Sequence, residues 1–159
     1  MSFKKTCPGL KLCRVLFLCS GNSCRSPMAE GIAKKFGLIA FSRGVIASEG
    51  LGADPNAVAV CAENGIDISN HTSTTLKEED FQLADYILCM ETKHIEYIKR
   101  RFPFYAHKSA LLGSFCGVGE IEDPIGGSIE KYRETFKKIR TSIEKFVEKI
   151  SSGHSDCAF

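Results

Sequence analysis

Residues 15–32 read Val-Leu-Phe-Leu-Cys-Ser-Gly-Asn-Ser-Cys-Arg-Ser-Pro-Met-Ala-Glu-Gly-Ile. Val15 to Leu18 form a short apolar run of strand formers bounded by turn residues, which predicts a strand buried on both faces. Ser26-Pro27 predicts the start of a helix, with Ser26 as N-cap and Pro27 at the first helical position, where a missing N–H costs nothing. Between them lies a loop that begins at Cys19 and ends at Arg25. A tight loop feeding a helix N-terminus points backbone N–H groups inward and adds the positive end of the helix dipole, so it makes a cradle for an anion. Gly21 and Asn22 are the residues there that best tolerate positive φ, and the reversal is expected at them. Thiolates are favoured at such positions beside a cation, which makes Cys19 the expected nucleophile. The Arg25 guanidinium offers a planar fork matched to two oxygens of a tetrahedral oxyanion, and the Ser26 hydroxyl could donate to the thiolate. These residues point to displacement at phosphorus through a phosphocysteine intermediate. The blander reading is a buried strand-end cysteine and a surface arginine; strand, Gly-Asn turn and Ser-Pro start around the Cys-x5-Arg spacing argue against it.

The run Cys19-Ser20-Gly21-Asn22-Ser23-Cys24-Arg25-Ser26-Pro27-Met28-Ala29-Glu30 resembles the signature of the low-molecular-weight protein tyrosine phosphatases. Three further segments match in the family's order. Ser69-Asn70-His71-Thr72 resembles the segment whose His braces the loop Asn, Asp85 to Met90 resembles the third strand, and Asp123-Pro124 resembles the general-acid loop. The resemblance spans about residues 14 to 150. It implies Cys19 as nucleophile, Arg25 and the loop residues Ser20, Gly21, Asn22, Ser23 and Cys24 as the phosphate cradle, and Asp123 as acid and then base. Ser26 and His71 are implied as supporting groups, with His71 hydrogen-bonded to Asn22. It also implies a phosphorylated protein as substrate, no cofactor and no metal. In this family the second loop cysteine, here Cys24, can form a disulfide with the nucleophile, a reversible block that protects against over-oxidation; a small packing residue is the other reading of Cys24.

The match departs at the pocket walls. The family's phosphotyrosine enzymes carry aromatics after the second strand and after Asp-Pro, whereas this chain has Gly50-Leu51-Gly52 and Ile125-Gly126-Gly127. Ser23 stands where many tyrosine phosphatases have an apolar residue and the phosphoarginine phosphatase branch has a small hydroxyl residue, so phosphoarginine is the alternative substrate. A third reading, thiol-linked arsenate reductase, shares the cradle but needs two relay cysteines in a mobile segment after the third strand. Cys89 stands there, and no second cysteine follows before Cys116. Without the resemblance, Asp123-Pro124 alone reads as a plain turn, and Glu120 or Glu122 could take the acid role if the register differed.

The rest of the chain supports one domain. A length of 159 residues suits a single core, and 43% hydrophobic and 25% charged residues suggest neither disorder nor a membrane class. A net charge of +2 gives no case for nucleic acid or an anionic membrane as partner, and no apolar run spans a bilayer. Lys4, Lys5, Lys11 and Arg14 interrupt the N-terminus, so a signal peptide is not expected and a cytoplasmic address follows. The eight cysteines then read as reduced thiols, and no Cys-x2-Cys pair suggests zinc. The expected organisation is an extension over 1–13, the phosphatase domain over 14–150 and a loose tail over 151–159. Strands are expected near 15, 42 (Phe41 to Ala47), 86 and 109 (His107 to Leu112). Helices are expected over Pro27 to Phe36, Pro55 to Asn64 with Asp54 as N-cap, Lys77 to Leu83, Glu91 to Phe102 and Ser128 to Ile150. Their alternation predicts an α/β domain, a four-stranded parallel sheet flanked by helices in three layers, with the ligand beyond the carboxyl ends of the strands. Gly113 to Gly127 is expected as a long loop carrying the acid. His94, His107 and His154 are read as surface or packing residues.

Overall fold

The structure is a computed structural model, and it describes residues 13–152. The expected extension and tail lie outside these residues except for Cys13, Ser151 and Ser152. Four strands, β1 (Arg14–Cys19), β2 (Ile39–Gly44), β3 (Tyr86–Cys89) and β4 (Ser109–Leu111), form one parallel sheet in the order β2-β1-β3-β4. The helices are α1 (Arg25–Lys35), α2 (Pro55–Glu63), α3 (Glu78–Leu83), α4 (Thr92–Arg101) and α5 (Ile129–Ser151). This is the three-layer α/β domain expected from the sequence.

The alternation of side chains along β1 explains the layers. Val15, Phe17 and Cys19 point into a core built with α1, α2 and α5, through residues such as Met28, Ile32, Val60, Phe136 and Ile143. Leu16 and Leu18 point the other way, into a second core with Phe81 of α3 and Ile98 of α4. A strand buried on both faces needs apolar residues at every position, which is why Val15 to Leu18 show no polar alternation. Each such side chain contributes roughly 1.5–3 kcal/mol on burial, so β1 and the loop that follows it rest on a rigid support.

Two caps follow the residue chemistry expected of them. The Asp54 carboxylate accepts the Asn56 N–H at 2.8 Å, and the Ser128 hydroxyl accepts the Lys131 N–H at 3.4 Å. Gly37 closes α1 with φ +86°, a conformation that costs a glycine little.

Several boundaries differ from the sequence expectation. α1 begins at Arg25, with Cys24 at the N-cap position, so Ser26 is not the cap and Pro27 is the third helical residue. Proline is tolerated there because the first N–H groups of a helix have no intrahelical acceptor. Ser26 is freed for another task, described below. β2 begins at Ile39 and stops at Gly44 rather than running from Phe41 to Ala47, because its partner β1 ends at Cys19, opposite Gly44. The fourth strand is cut to three residues by a 3-10 helix over Pro103–Lys108, and the long loop holds a 3-10 turn over Ser114–Cys116. His94, expected as an ordinary residue, is completely buried.

β1 is the strand from which the chain first runs to one neighbour, β2, and later returns to the other, β3. Its carboxyl end is therefore the point where strand order reverses, the usual place for a ligand in an open α/β sheet.

Candidate active site

Cys19 ends β1, and the five residues after it wrap a small concavity before Arg25 opens α1. The loop carbonyls are turned away from that concavity. Those of Cys19 and Ser20 accept the N–H groups of Val45 and Ile46 at 3.0 and 2.9 Å. The Ser23 carbonyl accepts the Asp54 N–H at 2.9 Å, the Cys24 carbonyl accepts that of Met28 at 3.2 Å, and the Asn22 carbonyl accepts from His71 Nε2 at 2.7 Å. Each trans peptide sets the next N–H antiparallel to its C=O, and the described residues contain no cis peptide bond. The N–H groups of Ser20, Gly21, Ser23, Cys24 and Arg25 thus face inward, as an anion site requires. No acidic side chain occupies the first turn of α1.

Asn22 makes the reversal. Its φ is +55°, the only positive value at a non-glycine position among the described residues. Its Nδ2 donates to Ser26 Oγ at 2.8 Å and to Ser42 Oγ at 3.0 Å, while Oδ1 accepts the Thr74 N–H at 2.9 Å. Ser42 in turn donates to Glu30 at 2.8 Å. These bonds hold the left-handed conformation against its cost for a residue with a Cβ.

Cys19 Sγ lies at the base of the concavity, 3.3 Å from the Asn22 N–H and 2.9 Å from Ser26 Oγ. Ser26 Oγ already accepts from Asn22, so its own hydrogen is available to the sulfur. Arg25 is 1% exposed. Its Nη1 donates to Glu91 Oε2 at 2.7 Å and to the Ile121 carbonyl at 2.9 Å, and its Nη2 meets Asp123 Oδ2 at 3.3 Å. Its Nε is buried and has no hydrogen-bond partner. Burial pushes the Glu91 carboxyl up, but the Arg25 hydrogen bond and charge outweigh it, so Glu91 titrates below the ordinary carboxylate range. Asp123 is at the mouth, its side chain about one-third exposed, with Oδ1 accepting the Ile125 N–H at 3.2 Å. Glu120 reaches instead the Thr92 N–H at 3.3 Å, and Glu122 pairs with Lys131 at 3.5 Å.

Ser23 Oγ lies 3.7 Å from Cys24 Sγ, which is 3.6 Å from the Tyr132 hydroxyl. Burial pushes the Cys24 thiol up, against the pull of its bonds to Tyr132 and Ser23, and pushes the Tyr132 phenol up as well. Both groups keep their hydrogens near neutral pH.

Five contributors escaped the sequence reading. Glu91 holds Arg25, His94 contacts Ser20, Ser42 and Thr74 hold Asn22, and Tyr132 backs Cys24. Glu91 and His94 stand three apart at the start of a helix, a spacing that signals a helix N-terminus but not a site. No three or more His, Cys, Asp or Glu side chains among the described residues are grouped so as to hold a metal ion, and no described helix is long and apolar enough to cross a membrane. Cys89 is completely buried, and burial pushes its thiol well up, so it is not a relay cysteine of the kind arsenate reduction needs.

Comparison with known proteins agrees with this geometry. A protein-arginine-phosphatase of Geobacillus stearothermophilus is 38% identical over 144 residues, covering 87% of this chain and 97% of that protein. The low molecular weight protein-tyrosine-phosphatase Wzb of Escherichia coli is 35% identical over 133 residues, covering 82% of this chain and 88% of Wzb. A crystal structure of a low molecular weight protein tyrosine phosphatase from T. tengcongensis superposes with a TM-score of 0.80 at 43% identity, covering 86% and 99% of the two chains. The family model described as low molecular weight phosphotyrosine protein phosphatase matches residues 14–155. With a cysteine beneath an anion cradle, an arginine closing it and this breadth of similarity, the chain belongs to the low molecular weight phosphotyrosine protein phosphatase family, a family of cysteine-dependent phosphatases.

Proposed function

We propose that the chain removes the phosphoryl group from phosphotyrosine in proteins through a phosphocysteine intermediate, within one catalytic domain over residues 14–150 and in the cytoplasm. The observation that carries the mechanism is the loop around Cys19 Sγ whose carbonyls at Cys19, Ser20, Asn22, Ser23 and Cys24 are held outward, leaving N–H groups to meet three equatorial phosphoryl oxygens as charge develops on them. Cys19 attacks phosphorus in line with the departing oxygen, and the Cys19–phosphorus bond forms as the phosphorus–oxygen bond breaks. Asp123 gives its proton to the leaving oxygen, then takes one from the water that frees Cys19. Arg25, whose buried Nε has no hydrogen-bond partner, binds the phosphoryl group throughout and keeps it from tumbling. Ser26 stabilises the thiolate as attacker and as leaving group. His71 and Asn22 keep the loop preorganised.

A second reading is carried by the rim. Leu51 and Ile125 are 59% and 63% exposed at the places where phosphotyrosine enzymes of this family have rings, and Ser23 brings a hydroxyl to the cradle. Aliphatic walls give up the stacking of a phenyl ring, and together with the similarity to protein-arginine-phosphatases they favour phosphoarginine as the alternative substrate.

The test is kcat/KM on matched phosphotyrosine and phosphoarginine peptides in EDTA, with Cys19→Ser as blank. The expected result is faster Cys19-dependent release from phosphotyrosine. Preference for phosphoarginine assigns the chain to the second reading, and release that survives in Cys19→Ser overturns the mechanism.

A further inference from the structure

The first turn of α4 supports the cradle from a side that the proposed chemistry has not yet used. His94 is fully buried there, and its Nδ1 faces the Glu91 N–H at 3.1 Å. A backbone N–H can only donate, so Nδ1 must accept, and in the neutral ring the hydrogen sits on Nε2. Burial, reinforced by the Arg25 charge and opposed by Glu91, pushes His94 down to about 4, so the ring is neutral under ordinary conditions. Its Nε2–H then donates to Ser20 Oγ at 3.0 Å. Ser20 Oγ, having accepted that bond, retains its own hydrogen to give, and no described group accepts it.

Ser20 follows the nucleophile, at the first step of the cradle. Glu91, whose amide sets the His94 tautomer, also takes Arg25 Nη1 at 2.7 Å. One helical turn therefore holds donors at both ends of the loop, residue 20 and residue 25. We propose that His94 is a positioning residue for phosphoryl transfer: through Nε2–H it orients the Ser20 hydroxyl so that Ser20 donates to an oxygen of the phosphoryl group seated over Cys19. This role rests on the phosphoryl-transfer reading above and adds to it a donor that is a side chain rather than an amide.

The experiment compares the full chain with His94→Asn, His94→Gln, Ser20→Ala and the double variant His94→Asn/Ser20→Ala. Asn keeps an acceptor near the Nδ1 position for the Glu91 N–H but lacks a donor that reaches Ser20; Gln places an amide donor near the Nε2 position. Measured are kcat/KM with p-nitrophenyl phosphate, the affinity for inorganic phosphate, and Tm. His94→Asn and Ser20→Ala should each weaken phosphate binding and kcat/KM about tenfold, the effect of one lost hydrogen bond to a charged group, and the double variant should lose no more than either alone. His94→Gln should recover most of that loss. A phosphate affinity of Ser20→Ala within twofold of the parent overturns the role, as do losses that multiply in the double variant. Should His94→Asn fail to fold, Ser20→Ala and His94→Gln still decide. A parent chain that binds phosphate but does not turn over would refute the phosphatase reading, while the phosphate affinities would still judge His94.

Discussion

Asn22 and Arg25 between them set the electrostatics of the cradle. Asn22 uses its amide N–H, its carbonyl and both ends of its side chain to stay at φ +55°, and Arg25 is held by Glu91, Ile121 and Asp123 with Nε left open. Asp123→Asn removes the proposed proton donor while leaving an amide that can still accept the Ile125 N–H. Its kcat should fall steeply for phenyl phosphates with poor leaving groups and little for p-nitrophenyl phosphate; equal losses across a leaving-group series would count against an acid role for Asp123. His94 predicts a stability effect. An unfolded His takes up its proton near 6.5, the folded ring only near 4, so the unfolded state binds the extra proton in between and stability falls as pH drops through that window. The contribution is on the order of 2–3 kcal/mol. In urea titrations between pH 7 and pH 4.5, His94→Gln should lose less stability than the parent; parallel losses would show that other groups govern acid unfolding.

At the scale of elements, β2 and the loop are fitted backbone to backbone. A Cβ on Gly44 would lie 2.7 Å from the Ser20 carbonyl oxygen and 2.9 Å from the Asn22 nitrogen, closer than atoms tolerate. Both are main-chain atoms of the cradle and cannot swing aside as a side chain could. Gly44→Ala should therefore displace the loop and lower kcat/KM by about 10²-fold, the scale expected of a misplacement near 1 Å, with a smaller loss in Tm; a Gly44→Ala enzyme of parental kcat/KM would mean that the loop shifts without consequence. β1 works through the same logic, since its two buried faces fix Cys19 from below while α4 fixes Ser20 and Arg25 from the side.

For the whole molecule, the proposed anion site predicts that a bound anion couples the loop to the fold. Phosphate that binds the folded state alone adds about 2.7 kcal/mol of stability at one hundred times its Kd, which for a chain of this size raises Tm by roughly 5–10 °C. Cys19→Ser should keep that rise because its amides and Arg25 are untouched. Arg25→Lys should lose most of it, since a point charge replaces a fork that also ties Glu91 and the Ile121 carbonyl. A phosphate-dependent rise that persists in Arg25→Lys would move the anion site elsewhere. Two cores on opposite faces of one sheet make the coupling possible, because β1, which carries the loop, is buried in both.

The sequence by itself determined the strand, loop and helix around Cys19, the reversal at Asn22, the caps at Asp54 and Ser128, and the three-layer α/β order. All of these follow from local rules of burial, positive φ and orphan N–H groups that act within a few residues. Ser26 shows the limit, since its sequence context suggested a cap and tertiary contacts turned its hydroxyl to Cys19 Sγ. Only the tertiary structure decided that Glu91 would hold Arg25 from 66 positions away, that His94 would reach Ser20 across 74, and that Tyr132 would back Cys24 across 108. Such bonds depend on how α4 and α5 pack against the sheet. They leave no periodic pattern in the chain, because a buried polar residue finds its partner in space rather than along the sequence.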